Sequence, residues 1–81
     1  MTAKTKDEKY IIAAYEMSQI SQDDFRPVDR YAVGSRVGMN PKGVESVCRL
    51  LAQANFIKNV GETEFILTPQ GKALVQSLLE S

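Results

Sequence analysis

The chain has 81 residues, of which 43% are hydrophobic and 25% are charged, and its ten basic residues balance ten acidic ones. That composition predicts one globular domain close to the smallest size that can build its own core, and it argues against an intrinsically disordered chain. The absence of histidine removes the commonest general base and metal ligand, so we expect neither an enzyme nor a bound metal or cofactor.

The apolar runs and the N-terminal segment give no sign of a membrane or secreted protein. No apolar run approaches the roughly 20 residues that span a bilayer, and the N-terminal MTAKTKDEKY lacks the apolar core of a signal peptide. The single cysteine, Cys48, excludes an intrachain disulfide and is typical of a reducing compartment. We therefore expect a cytoplasmic protein without membrane contacts.

The first periodic segment covers residues 7–19. Apolar side chains recur there at intervals of three and four residues, which predicts an amphipathic helix. Thr5 can cap it, and Asp7 and Glu8 suit the positive end of the helix dipole. Residues 1–6 are expected to form a flexible N-terminus, and residues 7–81 the domain.

A polar connection follows the first helix. It contains Asp23 and Asp24, a pair that could in principle bind a metal ion or act as catalytic carboxylates. Adjacent acids in such a loop are far more often solvated turn residues, and we interpret them so. Residues 25–28 are expected to run extended, because Pro27 pushes the residue before it away from helical angles.

Two helices separated by a short turn are predicted next. Asp29 is a suitable N-cap for a helix over residues 30–37, and Gly38 can end that helix by adopting a positive φ. Asn40 followed by Pro41 is a strong start signal, since Asn caps free amides and proline is pre-set for the first helical position.

The third helix is expected to span residues 41–54. Its apolar side is predicted to consist of Val44, Val47, Cys48, Leu50, Leu51 and Ala54. Asn55 stands where a helix usually ends in the left-handed region, which Asn tolerates best after Gly.

A hairpin and a last helix complete the chain. Residues 56–60 and 64–67 are short segments rich in β-formers and joined by residues 61–63, which predicts two antiparallel strands. Thr68-Pro69 repeats the cap-and-proline start, and residues 72–79 have an apolar face. The predicted order is helix, helix, helix, strand, strand, helix: a mainly α protein with a small β-hairpin, in the α+β class.

The neutral total conceals an uneven distribution of charge. Residues 26–58 hold six basic and two acidic side chains, whereas the rest of the chain holds four basic and eight acidic ones. A helical pair with an excess of four positive charges suits a small nucleic-acid-binding protein, because attraction to phosphate acts through one face.

Three fragments resemble the winged helix-turn-helix superfamily, in particular small transcription regulators of the MarR-like kind. The first fragment is the helix-turn-helix itself, carried by Gly34, Val37, Gly38, Met39, Val44 and Val47. The second fragment is VESVCRLLAQANFIK at residues 44–58, and the third is LTPQGK at residues 67–72.

The resemblance implies that residues 7–81 form a winged helix-turn-helix domain whose third helix reads the major groove of double-stranded DNA. The 3.6-residue period turns Lys42, Ser46 and Arg49 outward along one line. Lys42 or Arg49 can donate to guanine, and Ser46 can reach base or phosphate. The full set of candidate DNA-binding residues is Arg30, Arg36, Asn40, Lys42, Gly43, Glu45, Ser46, Arg49 and Lys58.

Several of these residues have a particular expected role. Arg30 and Arg36 are expected to hold phosphates, and the start of the third helix at Asn40 can accept another. Gly43 would let the backbone come close to the DNA. Glu45 would repel phosphate unless it accepts a hydrogen bond from a cytosine amine.

Each candidate also has a purely structural interpretation. An exposed helix face of mixed charge is usually only a soluble surface, and Cys48 packs as a small hydrophobe more readily than it senses oxidants. Tyr10, Tyr15 and Phe65 could line a ligand cavity, yet a domain this small needs them in its core.

Two functions therefore remain. The first is a DNA-binding transcription regulator, acting as a homodimer through its first and last helices. The alternative is a winged-helix module that binds a protein partner within a larger complex, which the acidic wing residues Glu62 and Glu64 favour.

Overall fold

The computed structural model of the chain describes residues 5–19 and 25–80. These residues form a mainly helical protein with one small antiparallel sheet, which confirms the predicted α+β class. The elements in chain order are α1 (Lys6–Ser18), β1 (Val28–Asp29), α2 (Arg30–Arg36), α3 (Pro41–Gln53), β2 (Ile57–Asn59), β3 (Glu64–Leu67) and α4 (Pro69–Glu80). None of the helices in these ranges has the length and apolar character that a bilayer crossing requires.

The predicted order of elements omitted one strand. β1 lies between α1 and α2 and pairs antiparallel with β3, with Val28 opposite Phe65 and Asp29 opposite Glu64. The sheet therefore has three strands in the order β1-β3-β2, where the sequence predicted only a hairpin. A strand of two residues carries no periodicity, and its pairing depends on residues more than thirty positions away.

The predicted caps define the helix ends. Thr5 and Glu8 form a reciprocal capping box, and the side chains of Asp29 and Asn40 accept backbone hydrogen bonds at the starts of α2 and α3. Gly38 has a φ of 73° and Asn55 a φ of 65°, as expected for the residues that follow α2 and α3. Each end of α1, α2 and α3 lies within one residue of its predicted position.

Some predictions concern residues that the structure does not describe. Asp23 and Asp24 lie outside the described residues, and so do residues 1–4 of the predicted N-terminus.

The core lies between the helices and the inner face of the sheet. Tyr10 of α1 and Phe65 of β3 are fully buried, with ring centroids 6.2 Å apart. Tyr15 is only half-buried and packs on Phe25, whose ring also receives the ammonium of Lys72 at 4.1 Å. The remaining buried apolar side chains are Ile11, Ala13, Ala14, Val28, Val33, Val44, Val47, Cys48, Leu51, Ile57, Leu67 and Val75.

The contact between α2 and α3 depends on a missing side chain. Gly34 is buried in α2, and a Cβ atom at this position would overlap Cγ2 of Val44 in α3. Val44 is itself buried, and its branched side chain is stiff, so it cannot easily move aside. The two helices consequently approach to a distance that only glycine permits.

We predict that Gly34→Ala destabilises the protein by up to about 2 kcal/mol. Overpacking costs about 1–3 kcal/mol, and the better helix propensity of alanine offsets about 1 kcal/mol of that. Urea denaturation should show the loss. The double variant with Val44→Ala should lose less than the sum of the two single losses, because the smaller side chain makes room.

Gly61→Ala is the matched control. A Cβ at this exposed position in the β2–β3 connection would make only ordinary contact with Glu64, at 3.8 Å. Its stability should stay near that of the wild type, and an equal loss in both variants would contradict the overpacking explanation.

Candidate nucleic-acid interface on helix α3

Helix α3 separates an apolar face from a polar one. Its buried side consists of Val44, Val47, Cys48 and Leu51. The exposed side chains include the predicted outward residues Lys42, Ser46 and Arg49, together with Glu45 and Gln53. Because α3 presents these five side chains to solvent, it offers hydrogen-bond donors and one carboxylate to a ligand that lies along it.

A groove of about 320 Å³ separates the exposed face of α3 from the start of α2 and the end of β2. We call it the wing groove. Glu45, Arg49 and Gln53 line it from α3, and Arg30 and Asn59 line it from the other elements. The wing groove therefore brings together three of the predicted DNA-binding residues: Arg30, Glu45 and Arg49.

Arg30 is held in this groove by three hydrogen bonds. Its Nη2 donates to Oδ1 of Asn59 at 3.0 Å, and its backbone N–H donates to the carbonyl of Thr63 at 2.8 Å. Its own carbonyl accepts from the hydroxyl of Tyr10 at 2.8 Å. The Nε atom of Arg30 is buried and has no hydrogen-bond partner among the residues described. Because this atom has almost no exposed surface, a ligand reaches the half-buried guanidinium only through its Nη groups, which suit an acceptor or an anion.

Asp29 fixes the β2–β3 connection to α2. Its Oδ1 accepts from the N–H groups of Tyr31 at 2.8 Å and Ala32 at 3.2 Å, while Oδ2 accepts from the hydroxyl of Thr63 at 3.1 Å. The hydrogen bond from the Tyr31 amide, with help from those of Ala32 and Thr63, lowers the pKa of the Asp29 carboxyl. The carboxylate thus joins the β2–β3 connection to the start of the helix pair.

Cys48 lies under the wing groove and is part of the core. Its Sγ is 3.2 Å from the hydroxyl oxygen of Tyr10. That hydroxyl has one proton, which it donates to the carbonyl of Arg30. The Cys48 thiol is therefore the donor to the phenol oxygen. Burial raises the pKa of both the Cys48 thiol and the Tyr10 hydroxyl. This environment disfavours the reactive thiolate and agrees with the packing interpretation of Cys48.

Arg36 does not join the other cations, contrary to the expected common cationic surface. Its Nη2 is 3.7 Å from Oε1 of Glu16, the only ion pair within residues 5–19 and 25–80. Arg36 lines a different groove of about 410 Å³, to which α1 contributes Ile12 and α4 contributes Leu79. The reason is that Arg30 and Arg36 stand at opposite ends of α2, and the last turn of α2 faces α1.

Lys58 also points away from the wing groove. Successive side chains of a strand alternate between the two faces of a sheet. Ile57 is buried and Asn59 shares its face of β2, so Lys58 lies on the opposite face, where it is exposed. Lys58 can therefore meet a ligand only around the outer side of the wing.

The start of α3 is already occupied by its own cap. Oδ1 of Asn40 accepts from the N–H of Gly43 at 2.8 Å, so that amide is not free to bind a phosphate. A Cβ at position 43 would lie 2.9 Å from Cγ of Met39 and 3.3 Å from the Asn40 oxygen. A Cβ here would displace the Met39 side chain, so glycine suits the packing of the turn, and close approach to DNA is not required to explain it.

Sequence reasoning placed Leu50 in the core, but its side chain is 55% exposed. Leu50 and Leu51 are neighbours about 100° apart on the helix, and Leu51 takes the buried direction. Ala54 is exposed as well. Leu50 lines a groove of about 420 Å³ with Val37 and Met39, which we call the turn groove. The sequence-based prediction also omitted Asn59 from the site. Asn59 stands two residues after the buried Ile57, and this spacing could have indicated that both lie on the same face of β2.

Comparisons with known proteins do not assign the chain to a family. No family model matches it, and no curated protein matches it at a significant level.

We predict that the protein loses stability as the pH rises above about 9. The ordinary pKa values are 9.0 for the cysteine and 10.0 for the tyrosine, and both are higher in the folded state. The unfolded chain therefore loses these protons first, and the stabilisation present below pH 9 disappears above it. Urea denaturation at pH 8 and pH 10 should show the difference, and Cys48→Ala should reduce it. An unchanged pH dependence in that variant would contradict the buried, protonated thiol.

Proposed function

We propose that the chain is a winged helix-turn-helix protein that binds double-stranded DNA and regulates transcription. In this proposal α2 and α3 are the helix-turn-helix, α3 enters the major groove, and β2 and β3 form the wing. The observation that carries it is the exposed row of Lys42, Ser46 and Arg49 on α3, none of which takes part in an ion pair in the described part of the chain.

The geometry of the helix pair supports the proposal. The N–H of Met39 donates to the carbonyl of Gly34 at 2.8 Å across the turn at Gly38. The close approach of Gly34 and Val44 then sets α3 against α2. A helix-turn-helix needs such a fixed pair, because the first helix positions the second in the groove.

The dimensions of α3 agree with this use. Seven residues separate Lys42 from Arg49, a rise of roughly 10 Å along the helix, which is about the length of three base-pair steps. Lys42 and Arg49 can donate to guanine O6 and N7, and Ser46 lies between them. Arg30, which lines the wing groove together with Arg49, is the phosphate-binding residue that the geometry favours most.

Arg36, Asn40, Gly43 and Lys58 have smaller parts in this proposal than the sequence suggested. Arg36 has Glu16 beside it, and the Asn40 side chain is used by the Gly43 amide. A chain with no net charge gains little from general attraction to phosphate. Its affinity must therefore come from the few contacts that α3 and Arg30 make.

A homodimer is part of the proposal, since one helix in one groove gives limited affinity. Leu79 of α4 is 55% exposed and borders the same groove as Ile12 of α1. This apolar surface on the first and last helices supports the dimer interface expected there.

We predict that Arg49→Ala weakens binding to a DNA duplex by roughly 5- to 150-fold, because a good bidentate contact to a base contributes about 1–3 kcal/mol. Duplexes selected by the wild-type protein from a random pool should be titrated by fluorescence anisotropy at several salt concentrations. Wild-type affinity should fall as salt is raised, with a slope that reflects the few cations in contact with phosphate.

Arg26→Ala is the matched control, since it also removes one exposed arginine. The backbone of Arg26 is bound to the carbonyl of Ser18 at the end of α1. Only the start of α1, at Lys6, Asp7 and Lys9, borders the turn groove beside α3, and the far end is roughly 18 Å along the helix. The control should bind nearly as well as the wild type. Equal losses in both variants, or no salt-dependent binding of any duplex, would contradict the proposal.

A protein-binding module is the second candidate, and the exposed Leu50 in the turn groove favours it. An apolar side chain on the same helix as Arg49 suits a partner chain better than it suits DNA. If this function holds, Leu50→Asp should abolish formation of a stoichiometric complex with a purified partner, and Arg49→Ala should leave that complex intact.

A further inference from the structure

Glu45 and Arg49 form an unusual pair on α3. They are four residues apart, both are exposed, and both line the wing groove. A glutamate placed one turn before an arginine is the order that favours an ion pair on a helix. In the described ranges, however, the ion pair between Arg36 and Glu16 is the only one, so the Glu45 carboxylate is not joined to Arg49.

Arg30 does not neutralise Glu45 either. Its Nη2 is used by Asn59, on the other side of the wing groove. The Glu45 carboxylate therefore stands among cations without being bound to one of them. A groove built only for phosphate would not hold such a group, since the carboxylate repels the phosphate.

The edge of a base pair, unlike a phosphate, can bind a carboxylate as well as a cation. In the major groove cytosine offers its N4 amine as a donor, and guanine offers O6 and N7 as acceptors. A carboxylate can only accept and a guanidinium can only donate. A free carboxylate and a free guanidinium side by side therefore match the two bases of G·C pairs.

The spacing allows both contacts at once. Four residues of helix rise roughly 6 Å, which is less than two base-pair steps. Glu45 is the fifth residue of α3 and so belongs to its N-terminal half, the part of a recognition helix that reaches base edges.

We propose that Glu45 and Arg49 make α3 selective for a C·G step in DNA. Glu45 accepts a hydrogen bond from the N4 amine of a cytosine, and Arg49 donates to O6 and N7 of the guanine that follows this cytosine on the same strand. This inference rests on the DNA binding proposed above and adds the base preference. It makes Glu45 a determinant of specificity.

The experiment begins with selection of duplexes from a random pool by the wild-type protein. We expect a C·G step in the selected site, and a roughly 5- to 150-fold loss of affinity when its cytosine pair is changed to T·A. Glu45→Gln should reduce this discrimination to less than about twofold and shift the preference towards adenine, which Gln binds through N6 and N7. The same variant should bind unselected DNA more tightly, since it has one negative charge fewer.

Glu80→Gln is the matched control. It removes the same charge at the exposed end of α4. It should raise affinity for all duplexes without changing the discrimination at the C·G step. Thermal denaturation of each variant checks that the exposed substitution leaves the fold intact.

The outcomes separate this inference from the function on which it rests. A selected site without a C·G step, or full discrimination retained by Glu45→Gln, would overturn the base preference and leave DNA binding in place. If no duplex binds even at low salt, the proposed function fails and the base preference fails with it.

Discussion

The site depends on the way in which Arg30 is anchored. Its carbonyl accepts from Tyr10 in the core, its N–H donates to Thr63 in the wing, and its guanidinium is bound to Asn59. The carboxylate of the preceding residue, Asp29, caps α2 and binds the same threonine. Two consecutive residues, Asp29 at the end of β1 and Arg30 at the start of α2, therefore connect α1, α2 and the β2–β3 hairpin, and Arg30 lines the wing groove opposite α3.

Much of the fold follows from local signals in the sequence. The caps Thr5, Asp29 and Asn40 and the left-handed Asn55 were predictable, because their chemistry acts within a few residues. β1 was not predictable, since two residues show no period and the partner strand is distant in sequence. The requirement for glycine at position 34 was also hidden, because it arises from the approach of a second helix.

The candidate site was predictable in part for a similar reason. The outward face of α3 follows from the helical period, so its polar residues were identified correctly as exposed. The gathering of cations was predicted too broadly, because a count of charges along the chain ignores direction. Arg36 turns towards Glu16, and Lys58 occupies the outer face of β2. The residues that remain in the wing groove, Arg30 among them, are a small group of mixed charge. Such a group favours selective contacts with a ligand over general attraction to phosphate.

The contact between Gly34 and Val44 has a consequence for how a ligand is accommodated. Because the packing at Gly34 leaves no room for even one methyl group, α2 and α3 are held closely together at this point, which limits their relative movement. Little conformational entropy is then lost on association. Any mismatch in shape has to be absorbed by the other molecule, and in a duplex the pyrimidine–purine steps bend most readily. A C·G step is itself a pyrimidine–purine step, so the proposed base contacts and the bending of the duplex would fall on the same few base pairs.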